Sequence, residues 1–138
     1  MGYESYNLRG IILDNVNNSS IVEVLQNMGY IILNQKVKEV VLEKSSNNGF
    51  IEIQIIESEV SIRTAKANNA PIIFEMIEDI RRINELIRIN VFDYQTKQEL
   101  ALDCVDSTLE EFVILQKDFF EHFPSVKSPI RCNDVFKV

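Results

Sequence analysis

Few residues of this chain have the chemistry of a nucleophile or of a general base. The chain contains one histidine, His122, and two cysteines, Cys104 and Cys132. Nucleophilic catalysis would need the fold to bring the histidine to a thiol or hydroxyl, and neither cysteine stands in a catalytic-cysteine signature. His122 follows Glu121 near the predicted end of the last helix, where a cation complements the helix dipole. We therefore expect His122 to be a surface residue.

Carboxylates are plentiful, but their spacing matches no metal-binding or hydrolase motif. Asp93, Asp103 and Asp106 are the best candidates for a hard cation such as Mg²⁺ or Ca²⁺, which needs several converging oxygens. Their spacing is not that of an EF-hand, and one histidine with two separated cysteines does not make a usual zinc site. None of the 21 acids falls in a recognisable paired-carboxylate frame, and the four glycines form no phosphate-binding loop. The sequence therefore predicts no enzyme, no metal and no cofactor.

The elements that must position these residues follow an order typical of an α+β protein. Hydrophobic patterning predicts strands at 8–13, 37–43, 50–58, 60–63, 91–94 and 99–102, with a further candidate at 30–33. Helices are predicted from residue 20 to 28, from 72 to 89, and from 107 to 123. Runs of strands without regular βαβ alternation favour a single twisted antiparallel sheet with about three helices packed mainly on one face.

Local signals predict where several elements begin and end. Ser20 and Glu23 form a capping box for the first helix, and Gly29 suits the position just after it. Asn48-Gly49 is a strong hairpin signal between two alternating segments. The second helix has one apolar face, which comprises Ile72, Ile73, Met76, Ile77, Ile80, Ile83, Leu86 and Ile87.

The chain is predicted to be a single α+β domain over residues 1–124, followed by a C-terminal arm over 125–138. Pro124 ends the last helix, and neither an internal repeat nor a long linker divides the chain. Two cysteines do not make a disulfide framework, and the N-terminal residues lack a secretory pattern. We expect a cytoplasmic protein with reduced thiols, the alternative being a single Cys104–Cys132 bridge that holds the arm.

The net charge of −7 argues against a nucleic-acid-binding or anionic-membrane surface, because both need clustered Lys and Arg. Residues 93–123 hold eight acidic and two basic residues, so most of the negative charge lies there. An apolar side chain, Ile114, projects into the polar half of the last helix, as binding hot spots often do. The residues that we expect to contact a basic protein partner are Asp106, Glu110, Ile114, Asp118 and Glu121. A merely solubilising helix face is the alternative.

Residues 71–102 carry a family resemblance. A long amphipathic helix is followed by Phe92, Asp93, Gln95 and Thr96 at a predicted hairpin, with Tyr94 where a proline is often found. This arrangement resembles small bacterial immunity proteins of polymorphic toxin systems. The resemblance implies a cytoplasmic inhibitor that binds and occludes a toxin domain without catalysing a reaction.

Two other functions remain open from the sequence. The chain could be an assembly subunit in which strand 50–58 or the C-terminal arm pairs across a homodimer. It could also bind a small molecule or catalyse a reaction at a site that only the fold assembles, for example around His122 or Cys104.

Overall fold

The computed structural model describes residues 2–103 and 105–137, which form the predicted α+β fold with one six-stranded antiparallel sheet. The strands are β1 (Ser5–Ile12), β2 (Ile31–Gln35), β3 (Glu39–Ser46), β4 (Gly49–Ile56), β5 (Glu59–Ala65) and β6 (Ile89–Asp93). The helices are α1 (Asn18–Asn27), α2 (Ile72–Leu86), α3 (Val105–His122) and a 3₁₀ helix at Cys132–Lys137. Four strands thus lie between α1 and α2, whereas the sequence predicted three. One strand lies between α2 and α3, whereas the sequence predicted two.

The strands lie in the order β2-β3-β4-β5-β1-β6, and all neighbours are antiparallel. Two-residue turns join β3 to β4 and β4 to β5, since Ser46 pairs with Gly49 and Ile56 with Glu59. Gly49 has a φ of 142°, which favours glycine, so the predicted hairpin is confirmed. β1 inserts between β5 and β6, and β2 forms one edge of the sheet.

Alternate strand residues face a core that the three α-helices cover. Ile51, Ile53 and Ile55 are fully buried, as their alternation predicts, and Leu25 of α1 and Phe112 of α3 join the same cluster. The residues that α2 contributes are Ile72, Ile73, Met76, Ile77, Ile80 and Ile83. Among the described residues, no helix combines the length and the apolarity that crossing a bilayer requires.

The start of α1 differs from the prediction, whereas its end agrees. Asn17 caps the helix: its backbone is extended and its side-chain oxygen accepts from the Ser20 N–H at 2.9 Å. Ser20 therefore lies inside the first turn. Gly29 has a φ of 98° and donates its N–H to the carbonyl of Gln26, which confirms its role after the helix.

Two predictions about the region after α2 are wrong. Leu86 is exposed because the helix ends there and the chain turns into β6. The segment 99–102 is not a strand, although the predicted hairpin is partly formed. Glu99 makes an antiparallel bridge with Phe92, and the Leu100 N–H donates to the Val91 carbonyl at 2.7 Å. Arg81 explains the departure, because its guanidinium donates to the Leu102 carbonyl at 2.7 Å and draws the segment towards α2.

The C-terminal arm packs on the body next to the sheet face that the helices leave open. Arg131 donates two hydrogen bonds, at 2.7 and 3.0 Å, to the carboxylate of Glu43, which is only 4% exposed. The register places Glu43 opposite Glu52, and Arg63 neutralises Glu52 in the same bidentate way. Each of two adjacent carboxylates therefore has its own arginine, one of them supplied by the arm.

A second, smaller apolar cluster anchors the same arm. Its buried members are Ala65, Ala67, Phe119, Val126, Cys132 and Val135. Burial raises the pKa of the Cys132 thiol to about 12, so the thiol is protonated at neutral pH. Cys104 lies outside the described residues, and so does the predicted alternative of a Cys104–Cys132 bridge.

Candidate functional site

The five predicted partner-binding residues form one exposed face of α3. Successive helix residues rotate by about 100°, which places the five within an arc of roughly 120°. All are exposed, and Ile114 is 69% exposed. Phe112 and Phe119 occupy the opposite, buried side of the helix. The structure thus brings these residues together as one surface, which we call the α3 acidic face: Asp106, Glu110, Ile114, Asp118 and Glu121.

Asp118 of this face has a partner among the described residues. The Tyr3 hydroxyl donates to the carboxylate of Asp118 and also lies 3.4 Å from Nδ1 of His122. His122 is exposed at the end of α3, as predicted, and its Nδ1 also lies 3.0 Å from the Asp118 carbonyl. Asp118 thus has a partner, whereas no hydrogen bond or ion pair within the described residues engages Asp106, Glu110 or Glu121.

A cleft of about 520 Å³ borders the N-terminal half of α3. Its walls come from the end of β6, the following loop and the first turns of the helix; they comprise Asp93, Thr96, Gln98, Glu99, Leu100, Ala101, Ser107, Thr108 and Glu111. These walls contain three carboxyl groups and no basic side chain. The cleft adjoins the α3 acidic face, because Glu110 and Ile114 lie three residues beyond Ser107 and Glu111 on the helix.

Asp93 holds the loop that forms one wall of the cleft. Its Oδ1 accepts hydrogen bonds from the backbone N–H groups of Gln95 and Thr96, at 2.8 and 3.3 Å. The Gln95 side chain pairs with both the N–H and the carbonyl of Asn7, which extends the β1–β6 ladder by a side chain. The Asp-x-Gln-Thr segment noted in the sequence is therefore a turn-forming unit in this fold.

The other oxygen of Asp93 faces Glu111 and Tyr6. Tyr6 donates to Glu111 at 2.8 Å and lies 3.4 Å from Oδ2 of Asp93, so one hydroxyl holds the two carboxyl groups side by side. Burial, together with the Asp93 hydrogen bond, raises the pKa of Glu111 to about 7. Burial alone would raise the pKa of Asp93, but hydrogen bonds from Glu111 and the turn outweigh it and lower that pKa. The proton shared by the pair therefore resides mainly on Glu111.

Tyr6 is fully buried and contacts the carboxyl pair from behind the cleft, whereas Thr108 lies in the cleft wall. Burial and the two neighbouring carboxyl groups raise the pKa of Tyr6 far above 10, so its hydroxyl stays a donor. Thr108 is 2% exposed, and its Oγ1 has no hydrogen-bond partner among the described residues. A buried hydroxyl without a partner is costly, so its position in the wall of a cleft is informative.

Comparisons with protein-family models, with curated proteins and with solved structures give no match for this chain. The candidate sites therefore depend on geometry alone.

Sequence reasoning identified Asp93 but missed Glu111, Tyr6 and Thr108 as its neighbours. Asp93 was a metal-ligand candidate with Asp103 and Asp106, yet both of those side chains are exposed whereas Asp93 is 5% exposed. Within the described ranges, no group of three or more His, Cys, Asp or Glu side chains is placed to hold a metal. The one available signal was the position of Glu111, on the border between the buried and polar sides of α3.

The sheet also has an exposed apolar edge. Every residue of β2 is exposed, and this edge strand presents Ile31, Ile32 and Leu33, while Val37 in the turn after it is 99% exposed. The prediction that strand 50–58 pairs across a homodimer is wrong, because it corresponds to β4, which has β3 and β5 on its two sides. Pairing through the arm is likewise disfavoured by the packing of the arm on the body.

Proposed function

We propose that the protein is a non-enzymatic protein-binding module that recognises a basic partner through the α3 acidic face. The single observation that carries the proposal is the exposure of Ile114 among carboxylates, on the side of α3 opposite its buried residues. An apolar side chain ringed by charged ones is typical of an interface hot spot. The most specific form of the proposal is an immunity-type inhibitor that occludes a basic site on a toxin domain.

The charge distribution supports this kind of partner. Residues 93–123 carry a net charge of −6, and a concentrated acidic field accelerates association with a basic surface. Exposed carboxylates contribute mainly to the association rate and to specificity, whereas the apolar side chain contributes to the lifetime of the complex. Binding of this type weakens as salt is added.

The test begins with affinity capture from the source cells to obtain the partner, followed by measured affinities for defined variants. Glu110→Lys with Glu121→Lys reverses the charge of the α3 acidic face. We expect the affinity for the partner to fall at least about ten-fold at low salt, mainly through the association rate. Ile114→Ala should instead increase the dissociation rate.

Glu23→Lys with Glu85→Lys is the matched control, since both residues are exposed on other helices. This variant has the same net charge as the first and should bind normally. If both double variants bind alike, bulk charge rather than the α3 acidic face drives association. If neither variant affects binding, the proposed interface is wrong.

A second candidate function is self-assembly through β2. Residues 31–35 contain no charged side chain, and no acidic residue occurs between Glu23 and Glu39, so two copies can approach here despite a net charge of −7 each. Antiparallel pairing of two β2 strands about Leu33 would continue the sheet, with Lys36 and Lys38 outside the paired segment. A second copy is therefore the occupant that this edge favours.

A further inference from the structure

We propose that the cleft between the loop after β6 and α3 is a binding site for a guanidinium or ammonium group. The inference stands on the cleft itself and does not require the α3 acidic face to bind a protein. Three observations carry it: the donors and acceptors of the walls, the unpartnered Thr108 hydroxyl, and the geometry of the carboxyl pair.

The charged groups in the walls of the cleft are all acidic, and hydroxyl groups lie beside them. Asp93, Glu99 and Glu111 supply carboxyl oxygens, while Ser107 and Thr108 supply hydroxyls. Because no basic side chain is among the walls, the charge of these carboxyl groups is not compensated there. A ligand that carries several N–H donors and a positive charge complements such a lining, whereas an anion would be repelled.

Thr108 indicates that the site is built for a ligand rather than only for stability. Its hydroxyl is almost fully buried, lines the cleft and has no partner within the described part of the chain. Valine would fill the same space without burying an unpaired oxygen. An N–H group of a bound ligand would donate to this hydroxyl oxygen and so supply the hydrogen bond that it lacks.

The carboxyl pair is held in place before any ligand binds. The turn fixes Asp93 through the N–H groups of Gln95 and Thr96, and Tyr6 fixes Glu111. The groups that face Glu111 are Asp93 from β6, Tyr6 from β1 and Glu99 from the loop, which are acidic or neutral. A bound cation can replace the proton that the pair shares, and that proton is released to solvent. Affinity should therefore increase from pH 6 to pH 8.

The experiment is a titration of the ¹⁵N-labelled full chain, followed by amide chemical shifts, at pH 8. The first probe is N-acetylarginine amide, and the matched neutral probe is N-acetylcitrulline amide, which has the same shape without the charge. We expect the arginine probe to give saturable shifts in residues 93–101 and 107–111 and the citrulline probe to give none. A third probe, a short Ala-Arg-Ala peptide, distinguishes whether the cationic group belongs to a protein or to a small molecule. Tighter binding of the peptide than of N-acetylarginine amide indicates an arginine side chain of a protein, and equal binding indicates a small molecule.

Three variants identify the residues responsible. Glu111→Gln should weaken binding of the arginine probe at least about ten-fold, because it removes a charge-assisted hydrogen bond. Thr108→Val should weaken binding several-fold. We expect this variant to fold, because valine has a similar shape and the hydroxyl that it removes has no partner among the described residues, so it remains informative if Glu111→Gln does not fold. Glu23→Gln, at an exposed position on α1 outside both the cleft and the α3 acidic face, should leave binding unchanged. Equal shifts with both small probes, unsaturable shifts, or full affinity in Thr108→Val and in a folded Glu111→Gln would overturn the proposal.

Discussion

Two carboxylic acids of nearly equal intrinsic acidity behave differently in this fold because their surroundings differ. Asp93 receives backbone N–H donors from its own turn, which favour the ionised form, whereas Glu111 is partly buried beside an existing negative charge. The protons of such a pair come off in coupled steps. Residue identity alone therefore does not decide which member of the pair holds the proton.

The first prediction concerns the pH dependence of stability. The pKa of Glu111 rises from 4.5 to about 7 on folding, so the folded chain binds more protons than the unfolded chain between these values. The contribution of Glu111 to the free energy of unfolding should therefore fall as pH rises from 5 to 8, by on the order of 1 kcal/mol, because Glu111 is only partly buried. Urea denaturation at pH 5, 6, 7 and 8 measures this decrease.

Glu111→Gln is the control for this prediction. Glutamine can still donate a hydrogen bond to Asp93 but does not titrate, so the difference between the wild-type and variant profiles isolates Glu111. The lowered pKa of Asp93 acts in the opposite direction and only in acid, below the window tested. A variant profile as steep as that of the wild type would contradict the assignment of the proton to Glu111.

At the scale of elements, α3 has three sides with different surroundings. One side packs Phe112 and Phe119 into the two apolar clusters, the next presents Glu111 and Thr108 to the cleft, and the third is the exposed acidic face. Apolar periodicity predicts the first and third sides, because both depend on positions within one helix. The cleft side depends on a loop that reaches the helix from β6, so the helix alone cannot predict it.

The arm provides the prediction at this scale. Arg131→Gln leaves the buried Glu43 carboxylate beside Glu52 without its arginine, and removing one partner of a buried pair is destabilising. Because Arg131 is itself about half exposed, we expect a moderate fall in melting temperature, of roughly 2–4 °C. Amide hydrogen exchange in residues 126–137 should accelerate at least about ten-fold as the arm detaches.

Lys137→Gln serves as the comparison, because its ion pair with Asp134 is exposed and such pairs contribute little. Its melting temperature and exchange rates should match those of the wild type. If Arg131→Gln leaves exchange in the arm unchanged, the apolar cluster holds the arm without help from the arginine.

At the scale of the whole molecule, strand order decides which surfaces are available for assembly. β4 looks like an ideal pairing strand in sequence, since its alternation is regular, but it is central and its backbone groups are already paired. β2 has a weaker pattern and a register shift between Ile32 and Asn34, yet it occupies the edge. Proteins commonly protect edge strands from pairing with lysines and bulges. The β2 edge has both, yet it also carries three exposed apolar residues.

The prediction at this scale is concentration-dependent self-association. If β2 pairs between copies, sedimentation equilibrium should detect a species of twice the 16.0 kDa chain mass as concentration rises. Ile31→Lys with Leu33→Lys should keep the chain monomeric, because it places like charges across the proposed pairing. Leu86→Lys, at an exposed apolar position on α2, should dimerise like the wild type. A wild-type chain that stays monomeric at all concentrations would eliminate assembly through this edge.

The features that could be predicted from sequence are those that depend on near neighbours along the chain. The hairpin at Asn48-Gly49, the turn of Gly29 and the alternating burial of Ile51, Ile53 and Ile55 follow from backbone sterics and side-chain period. So does the exposed α3 acidic face. These local preferences were sufficient to predict the α+β fold class.

The features that needed the tertiary structure join distant parts of the chain. Tyr6 meets Asp93 across 87 residues and Glu111 across 105, and Glu43 meets Arg131 across 88 residues. Each contact arises because the strand order, together with the docking of α3 and the arm, brings these parts of the chain together. Many strand orders are compatible with the same hydrophobic pattern, so the pattern alone does not predict these contacts. The sequence by itself shows how charge is distributed along the chain. Which carboxylates are buried in pairs, and which remain free for a partner, was decided only by the packing of the sheet and helices.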